Sequence, residues 1–93
     1  MRDRKLRSSA QFRRDLKQEK KRGRDLDRLW LVVELILEDG AIPPPRYRPH
    51  MLVGPWAGYY ECHIQPDWVM IWRVDSEGPV FERLGTHAEL FNK

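Results

Sequence analysis

The chain has 93 residues, room for one domain (residues 1–93) and no second core, since a domain this short hides only about 60–65% of its unfolded surface. Its charge is uneven: residues 1–48 hold fourteen Lys or Arg against eight acids, net +6, and residues 49–93 hold three against six, net −3. The longest apolar run, residues 29–37, is broken by Glu34 and falls short of the ~20 residues of a membrane span, so no transmembrane helix or membrane partner is expected.

The basic start leads into Ser8, Ser9 and Phe12 without an apolar signal core, so export is not expected and the chain reads as cytosolic. Cys62 is the single cysteine and no CxxC or HxH pair supplies a metal framework, so neither a disulfide nor a metal or cofactor is expected. A basic half beside a mildly acidic one suits a polyanion held on one surface, although a solvated helix face has the same composition.

Ser8 followed by Gln11 has the spacing of a capping box, Phe12 and Leu16 stand one turn apart, and Gly23 supplies a stop; a helix is predicted over about residues 9–22. Its apolar stripe is thin, which places it at an edge with Arg and Lys outward. Asp25 caps a second predicted helix, in which Leu26, Leu29, Trp30, Val33 and Leu37 recur at helical spacing, Ile36 widens the face and Gly40 ends it. Pro43, Pro44 and Pro45 then predict an extended connector that delivers Arg46, Arg48 and His50.

From there the period changes to two. Tyr59, Glu61, His63 and Gln65 alternate with Tyr60, Cys62 and Ile64, which predicts a half-buried strand. Residues 69–74 form a second strand after the Gln65-Pro66-Asp67-Trp68 turn, and residues 80–84 a third. Thr86-His87-Ala88-Glu89 is another capping box, opening a helical turn with Leu90 and Phe91, and residues 3–8 suit an edge strand. The class is α+β: a helical hairpin packed on a small, mainly antiparallel sheet, with a short C-terminal helical turn.

All three histidines, His50, His63 and His87, lie in the half that is poor in cations. With strands paired in sequence order, Glu61, His63, Asp67, Arg83 and His87 converge near one end of the sheet. Such a set has the parts for cutting a phosphodiester without metal. One base takes the ribose 2′-hydroxyl proton, one acid protonates the leaving 5′-oxygen, and a cation steadies the phosphorane. Histidine suits either proton role because its ordinary pKa, about 6.5, lies near cellular pH. Arg83 has a fork for two phosphate oxygens, and Phe91 or Trp68 offers a ring for a splayed base. Plain structural roles compete at each position: His63 bonded to Glu61, His50 in a loop, His87 on the surface, Asp67 forming a turn, the tryptophans in the core, and Arg83 paired with Glu61 or Glu82.

The run Gly54-Pro55-Trp56-Ala57-Gly58-Tyr59-Tyr60-Glu61-Cys62-His63-Ile64-Gln65-Pro66-Asp67-Trp68 resembles the central signature of YafQ-type toxins in the RelE/ParE superfamily, and Arg83-Leu84-Gly85-Thr86-His87 with Leu90-Phe91 resembles their C-terminal signature. The resemblance implies a RelE-like fold and a type II toxin–antitoxin toxin. Such a toxin is an endoribonuclease that enters the ribosome, cuts mRNA in the A site without metal and is silenced by a cognate antitoxin protein. It further implies His50, His63, Asp67 and His87 as catalytic positions; the reading built on it makes His87 the principal acid/base group, has His50 and His63 share proton transfer and phosphate stabilisation, and has Asp67 orient a histidine. Arg83, Trp68, Phe91 and Glu61 are then the expected substrate contacts. Ala57 and Tyr60 depart from the basic residues common in relatives, whereas Glu61 keeps an acidic position. Three rivals make different predictions: a ParE-like toxin acting on DNA gyrase by protein contact, a nucleic-acid-binding module that never cleaves, and a zinc site built from His50, His63, His87 and Cys62.

Overall fold

The computed structural model describes residues 6–38 and 42–91. Helix α1 (Ala10–Lys21) and helix α2 (Leu26–Glu38) form the expected hairpin. Strands β1 (His50–Met51), β2 (Tyr60–Gln65), β3 (Trp68–Asp75) and β4 (Gly78–Gly85) then pair antiparallel in sequence order, and α3 (His87–Phe91) closes the chain.

The helices cover one face of the sheet. Phe12, Leu29, Val32, Val33 and Ile36 meet Cys62, Ile64, Trp68, Met70, Trp72, Phe81 and Leu84 in the main core. Phe81 and Leu84 are three residues apart, and strict alternation would send them to opposite faces. A register shift opposite Ile71 and Trp72 inserts Glu82 as an extra residue and brings both into the core. On the other face Val69, Ile71 and Leu90 form a smaller apolar cluster, sealed by Leu52, Trp56, Tyr59 and Phe91.

Helix α1 docks through carboxylates as well as apolar groups. Phe12, Asp15 and Glu19 are buried and Leu16 is partly buried, at the i, i+3, i+4, i+7 spacing of a single stripe. Asp15 accepts from Gln11 Nε2 at 2.9 Å, Arg83 Nε at 2.8 Å and the Leu84 backbone N–H at 3.0 Å. The edge of β4 is therefore occupied: Arg7 and Ser9 bond the Phe81 backbone, and Asp15 takes the next outward N–H. Glu19 accepts from Arg22 Nη1 and Arg24 Nε, both at 3.1 Å, which supplies its buried charge with partners.

Several expectations shift. The cap of α1 is Ser9, whose hydroxyl accepts from Phe12 N at 2.9 Å, while Ser8 instead forms a parallel bridge to Phe81. That bridge supports an edge segment at residues 6–9; residues 3–5 lie outside the described residues, as does Gly40. Pro44 is extended, but Pro45 opens a 3-10 turn (Pro45–Tyr47), because a ring with φ already near −65° suits a first helical position as well as an extended one. His50 stands on a short strand rather than in a loop.

Candidate functional site

The site forms on the face opposite the helical hairpin. His50 and Glu61 lie directly across from each other on β1 and β2, so their side chains share a face. After Gly85 the chain turns back over the sheet. A Cβ at Gly85 would meet Glu89 Oε1 at 2.8 Å and Leu90 Cδ2 at 3.3 Å, so glycine permits this close return. The predicted capping box forms: Glu89 N donates to Thr86 Oγ1 at 3.1 Å and Thr86 N donates to Glu89 Oε1 at 3.0 Å. Together these features set His87 at the first position of α3, reaching back to β2.

Glu61 is the hub. It is 2% exposed, and each of its oxygens holds an imidazole: Oε1 faces His50 Nε2 at 2.9 Å and Oε2 faces His87 Nε2. Both histidine side chains remain about half exposed, at 52% and 49%. The His63 ring stands edge-on to His87 with centroids 5.3 Å apart, and Phe91 approaches His87 at the same distance. Phe91 also contacts Trp56, which contacts Tyr59, so an aromatic wall backs the histidines.

The free nitrogens follow from these partners. His63 Nδ1 lies 3.3 Å from the Pro66 carbonyl, which only accepts, so this nitrogen is the donor and Nε2 is left without a partner among the described residues. His87 uses Nε2 on Glu61 and leaves Nδ1 without a partner among the described residues. His50 has both nitrogens engaged, on Glu61 and on the Arg48 carbonyl at 3.1 Å. Two imidazole nitrogens are thus open to a substrate, one each on His63 and His87.

Other predicted site residues sit differently. Asp67 is exposed in the β2–β3 turn with no hydrogen-bond partner among the described residues. Trp68 is fully buried in the core with Arg24 over its ring at 5.1 Å, so it presents no open ring face to a base. Glu61, expected to touch substrate, lies buried beneath the two histidines it holds. Arg83 pairs with Asp15 rather than with Glu61 or Glu82; Arg73 takes Glu82 at 2.8 Å. Arg83 nevertheless shares a cross-sheet row with Glu61 through Ile71, about two strand spacings or roughly 10 Å away. Cys62 faces the helical core, where burial pushes its thiol up, so it does not join the histidines as a ligand.

A second ion-pair network secures α3. Arg22 bonds both Glu19 and Glu89, and the Arg22 guanidinium together with the Thr86 N–H holds the Glu89 carboxyl down at about 2, from an ordinary 4.5. A depressed carboxyl contributes stability above its unfolded value that is lost as pH falls through the folded one. An acid titration of α3 docking, followed by His87 ring NMR shifts, is therefore expected to show loss between about 4.5 and about 2, and Glu89→Gln to flatten that limb.

A small antiparallel sheet with a basic helical hairpin behind it and a carboxylate–histidine cluster in front defines an α+β protein with a candidate acid–base site. The family model described as "Bacterial toxin of type II toxin-antitoxin system, YafQ" matches residues 4–92. The mRNA interferase toxin YafQ of Escherichia coli K12 is 37% identical over 83 residues, covering 89% of this chain and 90% of that protein. The YafQ chain in the crystal structure of the E. coli DinJ–YafQ complex superposes with a TM-score of 0.84 at 36% identity, covering 96% and 99% of the two chains. A copper-bound mutant toxin from Helicobacter pylori superposes at 0.83 with 33% identity, covering 94% and 98%. The chain belongs to the YafQ family of type II toxin–antitoxin toxins.

Proposed function

We propose that the protein is an mRNA interferase, a cytoplasmic endoribonuclease that cuts the message in the ribosomal A site without metal and is restrained by a cognate antitoxin. One observation carries the reading: His63 and His87 pack edge-on, each with one unengaged ring nitrogen, and His87 is anchored on a buried carboxylate. One of the two takes the 2′-hydroxyl proton as the 2′-oxygen bonds to phosphorus. The other gives its proton to the departing 5′-oxygen, which leaves a 2′,3′-cyclic phosphate. His50 fixes Glu61, Glu61 fixes His87, and Arg83 steadies the phosphorane with the part of its guanidinium that Asp15 leaves free. Phe91 supplies a ring for the unstacked base, and the Pro66 carbonyl orients His63 from the turn in which Asp67 stands exposed.

The test maps cuts in a message on programmed ribosomes in the presence of a chelator. Codon-positioned cuts ending in cyclic phosphate support the reading. Intact message with toxicity maintained through DNA gyrase would replace it with the ParE-like rival.

A second reading concerns metal as an inhibitor. Glu61, His63 and His87 offer ligand atoms within 4.8 Å of one another, and H. pylori relatives are described as copper-bound and metal-bound. A transition ion held there would occupy the nitrogens needed for proton transfer. Micromolar Cu²⁺ or Zn²⁺ is expected to suppress cutting, with chelator restoring it; undiminished cutting in saturating Zn²⁺ and Cu²⁺ would dismiss the reading.

A further inference from the structure

Strand β1 pairs with only Tyr60 and Glu61 of β2, so beyond that point the outer edge of β2 is flanked by the Pro45–Tyr47 turn instead of a strand. A cavity of about 460 Å³ opens there, between α2, this turn and the end of β2. Arg28, Arg46 and Arg48 line it, and His63 and Gln65 form its far wall. Among the described residues no carboxylate lines it. Arg46 and Arg48 have no acidic partner among the described residues, and the Arg28–Asp25 pair, at 3.5 Å, is exposed on both sides and constrains the arginine little.

The cavity is also preorganised. Arg48 adopts a left-handed conformation, φ 53°, unusual for a residue with a Cβ. It is held by its N–H to the Pro45 carbonyl at 2.9 Å and by its own carbonyl on His50. The Arg46 guanidinium lies over the Tyr47 ring at 4.7 Å and donates to its hydroxyl, which orders the arginine beside an aromatic face. Three cations, one aromatic ring and an amide side chain around a nucleotide-sized space are suited to a single strand of RNA.

We propose that this groove is a second substrate subsite, which grips the backbone phosphates of the message on one side of the cut. The inference rests on the ribonuclease reading above. Its wall is the reacting His63 itself, so a strand lying in the groove delivers the neighbouring phosphate to the histidine pair. Ribosomal RNA offers the same phosphate chemistry, but it would have to enter a groove that ends at the scissile position. The message is therefore the assigned ligand.

Arg28→Ala/Arg46→Ala removes two cations that bond neither histidine nor Glu61. On programmed ribosomes the variant is expected to raise KM about tenfold or more with kcat within about twofold, because phosphate contacts made equally in ground and transition states act on binding. Messages carrying neutral methylphosphonates beside the cut identify the source of the phosphates. For wild type the neutral linkages on one side of the cut are expected to raise KM; for the variant they add little further. Effects that multiply independently would assign the arginines to ribosomal RNA and overturn the proposal, as would an unchanged KM in a variant whose melting curve matches wild type. Absence of cutting by wild type would instead defeat the ribonuclease reading on which the proposal stands.

Discussion

Replacing His87 by alanine is expected to lower single-turnover message cutting by about 10²–10⁴-fold, the range for a well-placed acid or base. Two losses combine. The free Nδ1 disappears from the substrate side, and Glu61, 2% exposed, keeps only His50 as a partner among the described residues. His87→Gln separates them, because an amide can still donate to Glu61 while offering no group that exchanges a proton near neutral pH. The glutamine variant should therefore recover much of the lost thermal stability and little of the lost rate. Cutting within about tenfold of wild type in both variants would remove His87 from the mechanism. Glu61→Gln serves as a further readout: as a positioning change it should lower kcat with little change in KM, since Glu61 lies beneath the rings it holds and not against the substrate.

The second large effect is on stability. Asp15→Ala strips Arg83, the Leu84 N–H and Gln11 of their shared acceptor in a nearly closed site. Breaking a buried pair from one side typically costs about 3–5 kcal/mol, and with Arg83 about a quarter exposed the lower end applies. A loss of about 3 kcal/mol corresponds to a fall in Tm of roughly 12–24 °C for a domain of this size. Thermal denaturation by circular dichroism measures it directly. The double variant Asp15→Leu/Arg83→Met should recover part of the loss, because neither member is then left as an unpaired charge. A single variant melting within about 2 °C of wild type would show that α1 is held by its apolar contacts alone.

The same residues separate what was legible in the sequence from what was not. Local signals were legible because their causes are local. Helical spacing marked α2, alternation marked β2, and the Thr86 and Glu89 pair announced a capping box that forms with both of its hydrogen bonds. The stripe of α1 was half read. Asp15 and Glu19 fall on the same face as Phe12 and Leu16, but as carboxylates they counted as solvent groups, and only their distant partners make burial affordable. Trp68 carried a motif position and an aromatic ring, and the sequence offered no way to tell a base-stacking ring from a core ring until the helical hairpin covered it.

By itself the amino-acid sequence determined the α+β class, the order of the elements, the presence of three histidines in the cation-poor half and the resemblance that named their chemistry. The tertiary structure alone decided which groups meet. Glu61 and His87 are 26 positions apart and Asp15 and Leu84 are 69 apart, separations over which no periodicity carries information. Pairing across those distances is settled by strand register, by the extra residue in β4 and by the glycine that lets α3 return over the sheet, because each of these shifts side chains by a strand spacing or turns them to the other face.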